Sequence, residues 1–135
     1  MTSLRTRLLR LTLAMVVWGA VWSCNAPFIP VPPPSQTGFM SSLGSDGNGG
    51  QKTVWAAIGE AGSVPAAARV FVFNLTTSSG VITQAASDGS FRSQTFDGTA
   101  GDRIDISAEG GNGEQSPTSC LLLQDAQPAP SCPPP

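Results

Sequence analysis

The stretch Arg69–Asn74 (RVFVFN) is the strongest strand signal in the chain. β-Branched and aromatic residues fit a pleated, packed surface, and they fill the four central positions of the stretch. A short apolar run of this kind predicts a strand that is covered on both faces. The stretch therefore favours a β fold for the part of the chain that surrounds it.

A second stretch, Asp102–Ala108 (DRIDISA), alternates between polar and apolar residues. This period of two predicts a half-buried strand with Ile104, Ile106 and Ala108 on its inner face. Turn residues recur at intervals of about 8–12 residues, which is typical of a sandwich or a barrel. Four further strands are predicted over Thr53–Ile58, Val81–Ala86, Ser90–Phe96 and Thr118–Gln124, and a seventh is expected near Ala61–Ala67 or in the tail.

The inward-facing side chains of these strands supply the predicted core. Each fully buried aliphatic or aromatic side chain contributes about 1.5–3 kcal/mol, and a small domain depends on most of them. The predicted core consists of Val54, Ile58, Val70, Val72, one of Phe71 and Phe73, Ile82, Phe91, Ile104, Ile106, Leu121 and Leu123.

Trp55 lies on the face of the first predicted strand opposite to Val54, Ala56 and Ile58. An exposed tryptophan is able to stack on a sugar or to anchor a protein partner. Alternatively, it covers the edge of the sandwich or packs against the segment that precedes the strand. The sequence therefore makes Trp55 the candidate ligand contact.

The N-terminal segment is predicted to be a removable export signal. Arg5, Arg7 and Arg10 form a basic region, and the residues Leu11–Trp22 that follow carry no charge. A membrane-spanning helix needs about 20 residues, so this shorter run fits the apolar region of a signal peptide better. An uncleaved N-terminal helix is the alternative.

The tetrapeptide Val21-Trp22-Ser23-Cys24 resembles the lipobox of bacterial lipoproteins. The resemblance implies cleavage between Ser23 and Cys24 and a diacylglycerol on the thiol of Cys24. Stable anchoring takes more than one acyl chain, so a multiply acylated cysteine would hold the mature chain at a membrane. Asn25 replaces the Asp that retains such proteins at the inner membrane, which implies the outer membrane. A plain secretory signal with an incidental cysteine is the alternative.

The segment that follows the cysteine is predicted to be a tether. Its first part is rich in proline, which favours an extended conformation, and Gly38–Gly50 is rich in glycine and serine. Phe39, Met40 and Leu43 form a small apolar island that either docks on the domain or stays solvated. The predicted organisation is a signal peptide over 1–23, the lipidated cysteine and tether over 24–50, a β-sandwich over 51–125 and an irregular, proline-rich tail over 126–135.

The composition of the mature chain excludes one class of partner and predicts one crosslink. Removal of residues 1–23 leaves four basic and nine acidic residues, a net charge of −5. Nucleic-acid binding needs clustered Lys and Arg, so no nucleic-acid partner is expected. Cys120 and Cys132 remain beside Cys24, and an even pair in an exported protein predicts a disulfide bond.

Catalytic arrangements find little support in the sequence. The chain has no histidine, which excludes Ser-His-Asp and Cys-His arrangements and imidazole ligands for zinc. Asp97, Asp102 and Asp105 lie close in sequence, but Asp102 and Asp105 should face opposite sides of one strand. No catalytic residue and no cofactor are assigned, and a carboxylate site of unrecognised type is the enzyme alternative.

The segment Asp46–Gly49 (DGNG) offers oxygen ligands of the kind that calcium prefers, and Asp88, Asp97 and Asp102 cluster near predicted turns. It lacks the later acidic ligand of an EF-hand loop, so no metal residue is assigned. The competing interpretation is a plain glycine-rich turn.

Four segments of the body resemble bacterial immunoglobulin-like and carboxypeptidase-regulatory-like β-sandwich modules. They are Gly62–Ala66 (GSVPA), Arg69–Asn74 (RVFVFN), Asp88–Phe91 (DGSF) and Gly101–Ile106 (GDRIDI). The resemblance implies a small immunoglobulin-like β-sandwich of six to seven strands that acts as a spacer, an adhesive unit or a binding domain. The leading hypothesis is a membrane-anchored envelope lipoprotein that works as a non-catalytic structural or protein-interaction module. A carbohydrate- or calcium-binding adhesion module is the alternative.

Overall fold

The computed structural model of the protein describes residues 30–134. Within this range the chain is all-β, and its antiparallel strands form two four-stranded sheets that pack as a sandwich. The predicted fold class is thus confirmed. The strands are β1 Thr37–Ser45, β2 Gln51–Gly59, β3 Arg69–Asn74, β4 Ser79–Gln84, β5 Phe91–Arg92, β6 Phe96–Asp97, β7 Arg103–Glu109 and β8 Ser119–Leu122.

The leader and the lipidation site lie outside the described residues. This applies to the predicted cleavage between Ser23 and Cys24 and to the acylation of Cys24. Among residues 30–134, no helix is long and apolar enough to cross a membrane.

The first sheet has the order β1-β2-β5, with β6 also paired to β2, and the second has the order β4-β3-β7-β8. The predicted positions of β3 and β7 are confirmed. Strand β3 covers the predicted range, and its Val72 lies opposite Ile106 of β7. Ile104, Ile106 and Ala108 are completely buried, as the alternation of β7 requires.

The core lies between the two sheets and draws on both termini of the described range. It is more aromatic than predicted, because Phe39, Trp55 and Phe96 join Phe91 in it. Phe39 and Phe96 meet edge to face, with ring centroids 6.4 Å apart. The core cluster comprises Val31, Phe39, Trp55, Ala57, Val64, Ala68, Val70, Val72, Ala85, Phe91, Phe96, Ile104, Ile106, Ala108, Leu123 and Ala129, with Val81 and Leu121 packed against it.

Strand β2 has the opposite phase to the one predicted. Trp55 and Ala57 face the core cluster, with Trp55 only 5% exposed. Val54 and Ala56 are also buried, at 9% and 2% exposure, but they lie on the opposite face of the strand, outside that cluster. Residues 54–58 are all apolar, so the sequence allows either set of alternate residues to face the core. The indole of Trp55 is accommodated in the interior because its Nε1 donates to Gly98 O at 3.0 Å. The prediction of Trp55 as an exposed ligand contact was therefore wrong.

The predicted cover on both faces of β3 was also wrong. Val70, Val72 and Asn74 are buried, whereas Phe73 on the other face is 43% exposed. Ile82 of β4, which was predicted in the core, is 60% exposed. The alternation of β3 and β4 leaves one face of each strand on the outside of the sandwich, where no described element covers it.

The predicted strand Ser90–Phe96 is divided into β5 and β6, which both pair with β2. The register changes by one residue between them, since Ile58 pairs with Arg92 but Trp55 pairs with Phe96. Ser93 lies in the resulting bulge, and its side chain accepts the hydrogen bond that a backbone carbonyl would accept in a regular ladder. Its Oγ accepts from Ala57 N at 2.9 Å, and its own N donates to Ala57 O at 2.9 Å.

The predicted tether is largely part of the domain. Thr37–Ser45 forms β1, which pairs with β2 along its whole length, and Phe39 is 1% exposed. Of the predicted apolar island, Phe39 packs into the core, whereas Leu43 is 70% exposed to solvent. Val31 is buried as well, and Ser35 N donates to Ser63 O at 3.0 Å. The folded domain therefore begins about twenty residues before the predicted boundary at 51.

The C-terminal tail is ordered by pairing with both sheets. Ala126 forms a bridge with Phe39 of β1, and Ser131 forms a bridge with Leu121 of β8. Ala129, between these bridges, is buried in the core. The tail contains no regular strand, as expected, but its isolated bridges and main-chain hydrogen bonds fix it to two strand edges.

The two cysteines lie where the tail meets β8. The Cys120 and Cys132 sulfurs are at the distance of a disulfide bond, as the cysteine pair predicted, with Cα atoms 5.4 Å apart. Cys132 N also donates to Cys120 O at 3.0 Å. The crosslink thus fixes the end of the tail against the second sheet.

We expect the double variant Cys120→Ser/Cys132→Ser to lose about 3 kcal/mol of unfolding free energy, because a crosslink that closes a loop of this size restricts the unfolded chain by about that amount. Urea denaturation followed by circular dichroism would measure the loss. Reductant should destabilise the wild-type chain to the same extent and leave the variant unchanged. Equal stability of the two chains would contradict the structural role of the crosslink.

Candidate functional site

The outer surface of the second sheet carries an exposed apolar area. Phe71, Phe73 and Leu75 follow one another at alternate positions along and just beyond β3, and Ile82 stands beside them on β4. Phe73 and Leu75 are each 43% exposed and Ile82 is 60% exposed. Contiguous exposed apolar area of this kind usually marks an interaction site. We call these four residues the outer apolar face.

The β3–β4 hairpin creates this face. Phe71 lies opposite Ile82, and Phe73 lies opposite Gly80, so the three side chains surround a position without a side chain. The result is a shallow depression of about 320 Å³. A Cβ atom at position 80 would lie 2.7 Å from Val72 O and 3.0 Å from Phe73 Cδ2, so any larger residue there would force the hairpin backbone to shift.

The outer apolar face is free of charge on its β4 side but not on its β7 side, where Asp105 lies opposite Phe73 on the same outer surface. The chain has no charged residue between Leu75 and Ser87. At one end of β3, Arg69 forms an ion pair with Glu109 of β7. The face is therefore suited to an apolar contact with another protein, where charged side chains are depleted at the centre of the interface.

A buried polar cluster fixes the end of the hairpin. Asn74 is 1% exposed, and its Oδ1 accepts from Thr76 N at 2.8 Å and Thr77 N at 3.2 Å. Its Nδ2 donates to Asp102 Oδ2 at 2.9 Å, which also accepts from Thr99 N at 2.9 Å. The Asn74 side chain thus connects the β3–β4 loop with the loop before β7.

These hydrogen bonds determine the charge state of Asp102. Burial raises the pKa of its carboxyl group, but the bonds from Thr99 N and the Asn74 and Thr76 side chains stabilise the charged form more. The net result is a pKa below the ordinary value of 3.8. Asp102 is therefore ionised at neutral pH and acts as a fixed acceptor in the loop.

The acidic residues considered for catalysis do not share a site. Asp97 forms an exposed ion pair with Lys52, at 2.8 Å. Asp102 belongs to the Asn74 cluster, and Asp105 lies in β7 on the outside of the second sheet. The expectation that Asp102 and Asp105 point to different sides agrees with these positions.

The acidic residues considered for calcium binding stabilise turns. Asp46 Oδ1 accepts from Asn48 N and Gly50 N, both at 2.8 Å, and closes the β1–β2 hairpin. Asp88 Oδ1 accepts from the hydroxyl and the N–H of Ser90, and these bonds lower the pKa of Asp88. In residues 30–134, no three His, Cys, Asp or Glu side chains are arranged to hold a metal ion.

A second depression, also of about 320 Å³, lies at the opposite end of β3. Its polar lining consists mainly of Arg69, Gln84 and Glu109 beside the glycine-rich turn after β7. Because Arg69 and Glu109 pair with each other, the two charges in this lining neutralise one another. The depression is a weaker candidate than the outer apolar face.

The fates of the remaining predicted site residues differ. Ser23 and Cys24 fall outside the described range, Cys120 and Cys132 lie at bonding distance, and Trp55 is inside the core. Sequence reasoning placed Ile82 and one of Phe71 and Phe73 in the core and did not consider Leu75. The signal that could have found the outer apolar face is the alternation within RVFVFN, which gives valines to one face and phenylalanines to the other.

No known protein family model, curated protein or solved structure matches this chain. The functional interpretation therefore depends on the geometry of the chain itself.

We expect the variant Asp102→Asn to be less stable than the wild type at pH 7 by about 1 kcal/mol, because a charged acceptor is lost from the cluster. A lowered pKa contributes stability that is present above the ordinary value near 3.8 and is lost as the pH falls below it. The stability difference should therefore shrink as the pH is lowered from about 5 to 2.

Urea denaturation over this pH range would measure the difference. Asp97→Asn is the matched control, since its carboxylate pairs with Lys52 at the surface and exposed pairs contribute little. An Asp102→Asn difference that stays constant down to pH 2 would contradict the assigned role.

Proposed function

We propose that the protein is a lipid-anchored envelope protein that acts as a non-catalytic protein-interaction module. The observation that carries the proposal is the outer apolar face, which a rigid sheet presents to solvent instead of burying. Large exposed aromatic and aliphatic side chains cost solubility unless a partner covers them. The immunoglobulin-like resemblance of the segments around β3 and β7 supports the same class of role.

The anchor rests on the sequence of the leader. A basic region, a short apolar run and the tetrapeptide ending at Cys24 together support export and acylation. The cysteine pair at 120 and 132 supports an oxidising compartment, where disulfides persist. The outer membrane is the proposed location, on the basis of Asn25.

The alternative of a carbohydrate- or calcium-binding module has no observation in its favour. Its sugar contact was Trp55, which is buried, and its calcium segment is the turn closed by Asp46. The protein-interaction role therefore accounts best for the described surface.

The anchor predicts the covalent structure of the native protein. In a Gram-negative host, the membrane fraction should contain a chain that starts at Cys24 and carries the mass of attached acyl chains. The variant Cys24→Ala should keep its leader and lack the added mass. Intact-mass spectrometry of both chains would measure this, and a wild-type chain that begins at Met1 or is free of lipid would contradict the anchor.

The outer apolar face predicts where partners are captured. A photo-crosslinking residue at position 73 should give protein adducts in intact cells, because this side chain would lie within the interface. The matched control is position 43, where Leu43 is 70% exposed on the other sheet. The adducts should be lost from the crosslinking chain when Ile82→Ser is added. Equal capture at both positions would contradict the proposed face.

A further inference from the structure

Strand β4 is an outer strand of the second sheet. On its far side, the described part of the chain places neither a strand nor an isolated bridge. Ala85 N donates to Ala68 O at 2.8 Å, which fixes the alternation of main-chain bonds in the hairpin. The N–H and C=O groups of Gly80, Ile82 and Gln84 therefore point away from β3, toward the open side.

The other edges of the sandwich are protected. On β1, Phe39 N donates to Ala126 O at 3.1 Å, and the tail covers this half of the strand. On β8, Leu122 N donates to Pro130 O at 2.8 Å. Strands β5 and β6 have two residues each and are separated by the bulge at Ser93.

The remaining half of β1, Ser41–Ser45, is flanked by acidic side chains. Asp46 follows it directly, and Asp125 accepts a hydrogen bond from Ser41. Two copies that paired along this edge would bring like charges together, which opposes association. This edge is thus protected against self-pairing by charge.

Strand β4 has none of these protections. It is a regular strand of six residues, SGVITQ, within a stretch from Leu75 to Ser87 that contains neither a charge nor a proline. Natural sheets usually protect an edge with Lys, Pro, a bulge or a covering segment. A regular, uncharged edge beside an exposed apolar face is therefore suited to strand addition.

We infer that β4 pairs in antiparallel fashion with β4 of a second copy of this chain, about a two-fold axis beside Ile82. This inference rests on the proposed function, because it names the partner of the outer apolar face. In this register Ile82 lies opposite its own copy, and Gly80 lies opposite Gln84 of the partner. Each of these outward-pointing residues then donates and accepts one main-chain hydrogen bond.

The charges near the edge do not oppose this pairing. Arg69, next to Gln84 in the ladder, is paired with Glu109. Arg92 lies in β5 of the first sheet, and its guanidinium is directed along that sheet, away from β4. Both of its Nη atoms are 3.8 Å from Met40 Sδ. Strand β4 itself carries no charge, so a second copy of the strand is able to pair with it without like-charge repulsion along the edge.

The pairing also enlarges the apolar contact. The two Ile82 side chains meet across the axis, and each Gly80 depression receives the aliphatic stem of Gln84 from the other copy. A self-complementary patch of this kind is what a two-fold interface requires. Acyl anchors that confine both copies to one membrane would raise their effective concentration further.

A cysteine placed on the axis tests the register in membranes. With Ile82→Cys in the full-length chain, mild oxidation should give a disulfide-linked dimer, since facing Cα atoms lie about 5.5 Å apart, within disulfide range. Leu43→Cys is the control, because it is equally exposed but lies on β1. A dimer from position 82 and none from position 43 is the expected result.

A charge placed on the axis tests the energetics. Ile82→Lys puts two like charges opposite each other and should weaken dimerisation roughly tenfold or more. Analytical ultracentrifugation of the detergent-extracted, acylated chain would measure this, with Leu43→Lys expected to remain as dimeric as the wild type. Ile82 is exposed, so the circular dichroism spectra of both variants should match that of the wild type and show that each chain is folded.

The outcomes separate the dimer from the proposed function. No crosslink at position 82 and a monomeric wild type would overturn the dimer, and capture of another protein at position 73 would then leave the interaction role intact. A crosslink at position 43 would overturn the β4 register by moving the interface to β1. The absence of both the dimer and any adduct at position 73 would reject both proposals.

Discussion

The C-terminal segment that runs from Ala126 to Cys132 determines how the rest of the sandwich is arranged. It pairs with β1 in one sheet and with β8 in the other, and it buries Ala129 between them. Main-chain bonds to both sheets close this side of the core and occupy two edges that would otherwise stay open. The crosslink at Cys120 holds the segment in place. The opposite side of the sandwich, formed by β4 and the two short strands, is the side on which an unprotected edge remains.

The sequence was sufficient for those strands whose two faces differ clearly. In β7 the alternation of isoleucines with charged residues allows one register only, and in β3 the run of β-branched residues identifies the strand. It was insufficient where the same composition fits two arrangements. The residues around Trp55 are all apolar, so either set of alternate side chains of β2 could have faced the core. The glycine- and serine-rich β1 has the composition of a linker, and only pairing with β2 and the tail makes it a strand. Which face of β3 is covered depends on tertiary packing that no local pattern contains.

The acidic residues explain why the surface, and not a reactive cluster, carries the functional interpretation. Asp46, Asp88 and Asp102 each accept hydrogen bonds from backbone N–H groups in a turn or loop. In turns, an aspartate carboxylate often accepts hydrogen bonds from nearby backbone N–H groups that have no carbonyl partner there. The excess of negative charge in residues 24–135 thus arises partly from the aspartates that stabilise the loops. What remains for recognition is shape and apolar area on the second sheet.

With the proposed acyl anchor at Cys24, the burial of Val31 limits the height of the domain above the lipid. From an acylated Cys24 to Val31 the chain spans at most about 25 Å when fully extended, because each residue adds about 3.3–3.6 Å. This is less than the roughly 30 Å diameter of a small domain. The sandwich would therefore stay close against the leaflet that holds it, within reach of neighbours embedded in the same membrane and far from structures across a wide compartment. A two-fold axis along the membrane normal would place both lipid attachment points at equal height.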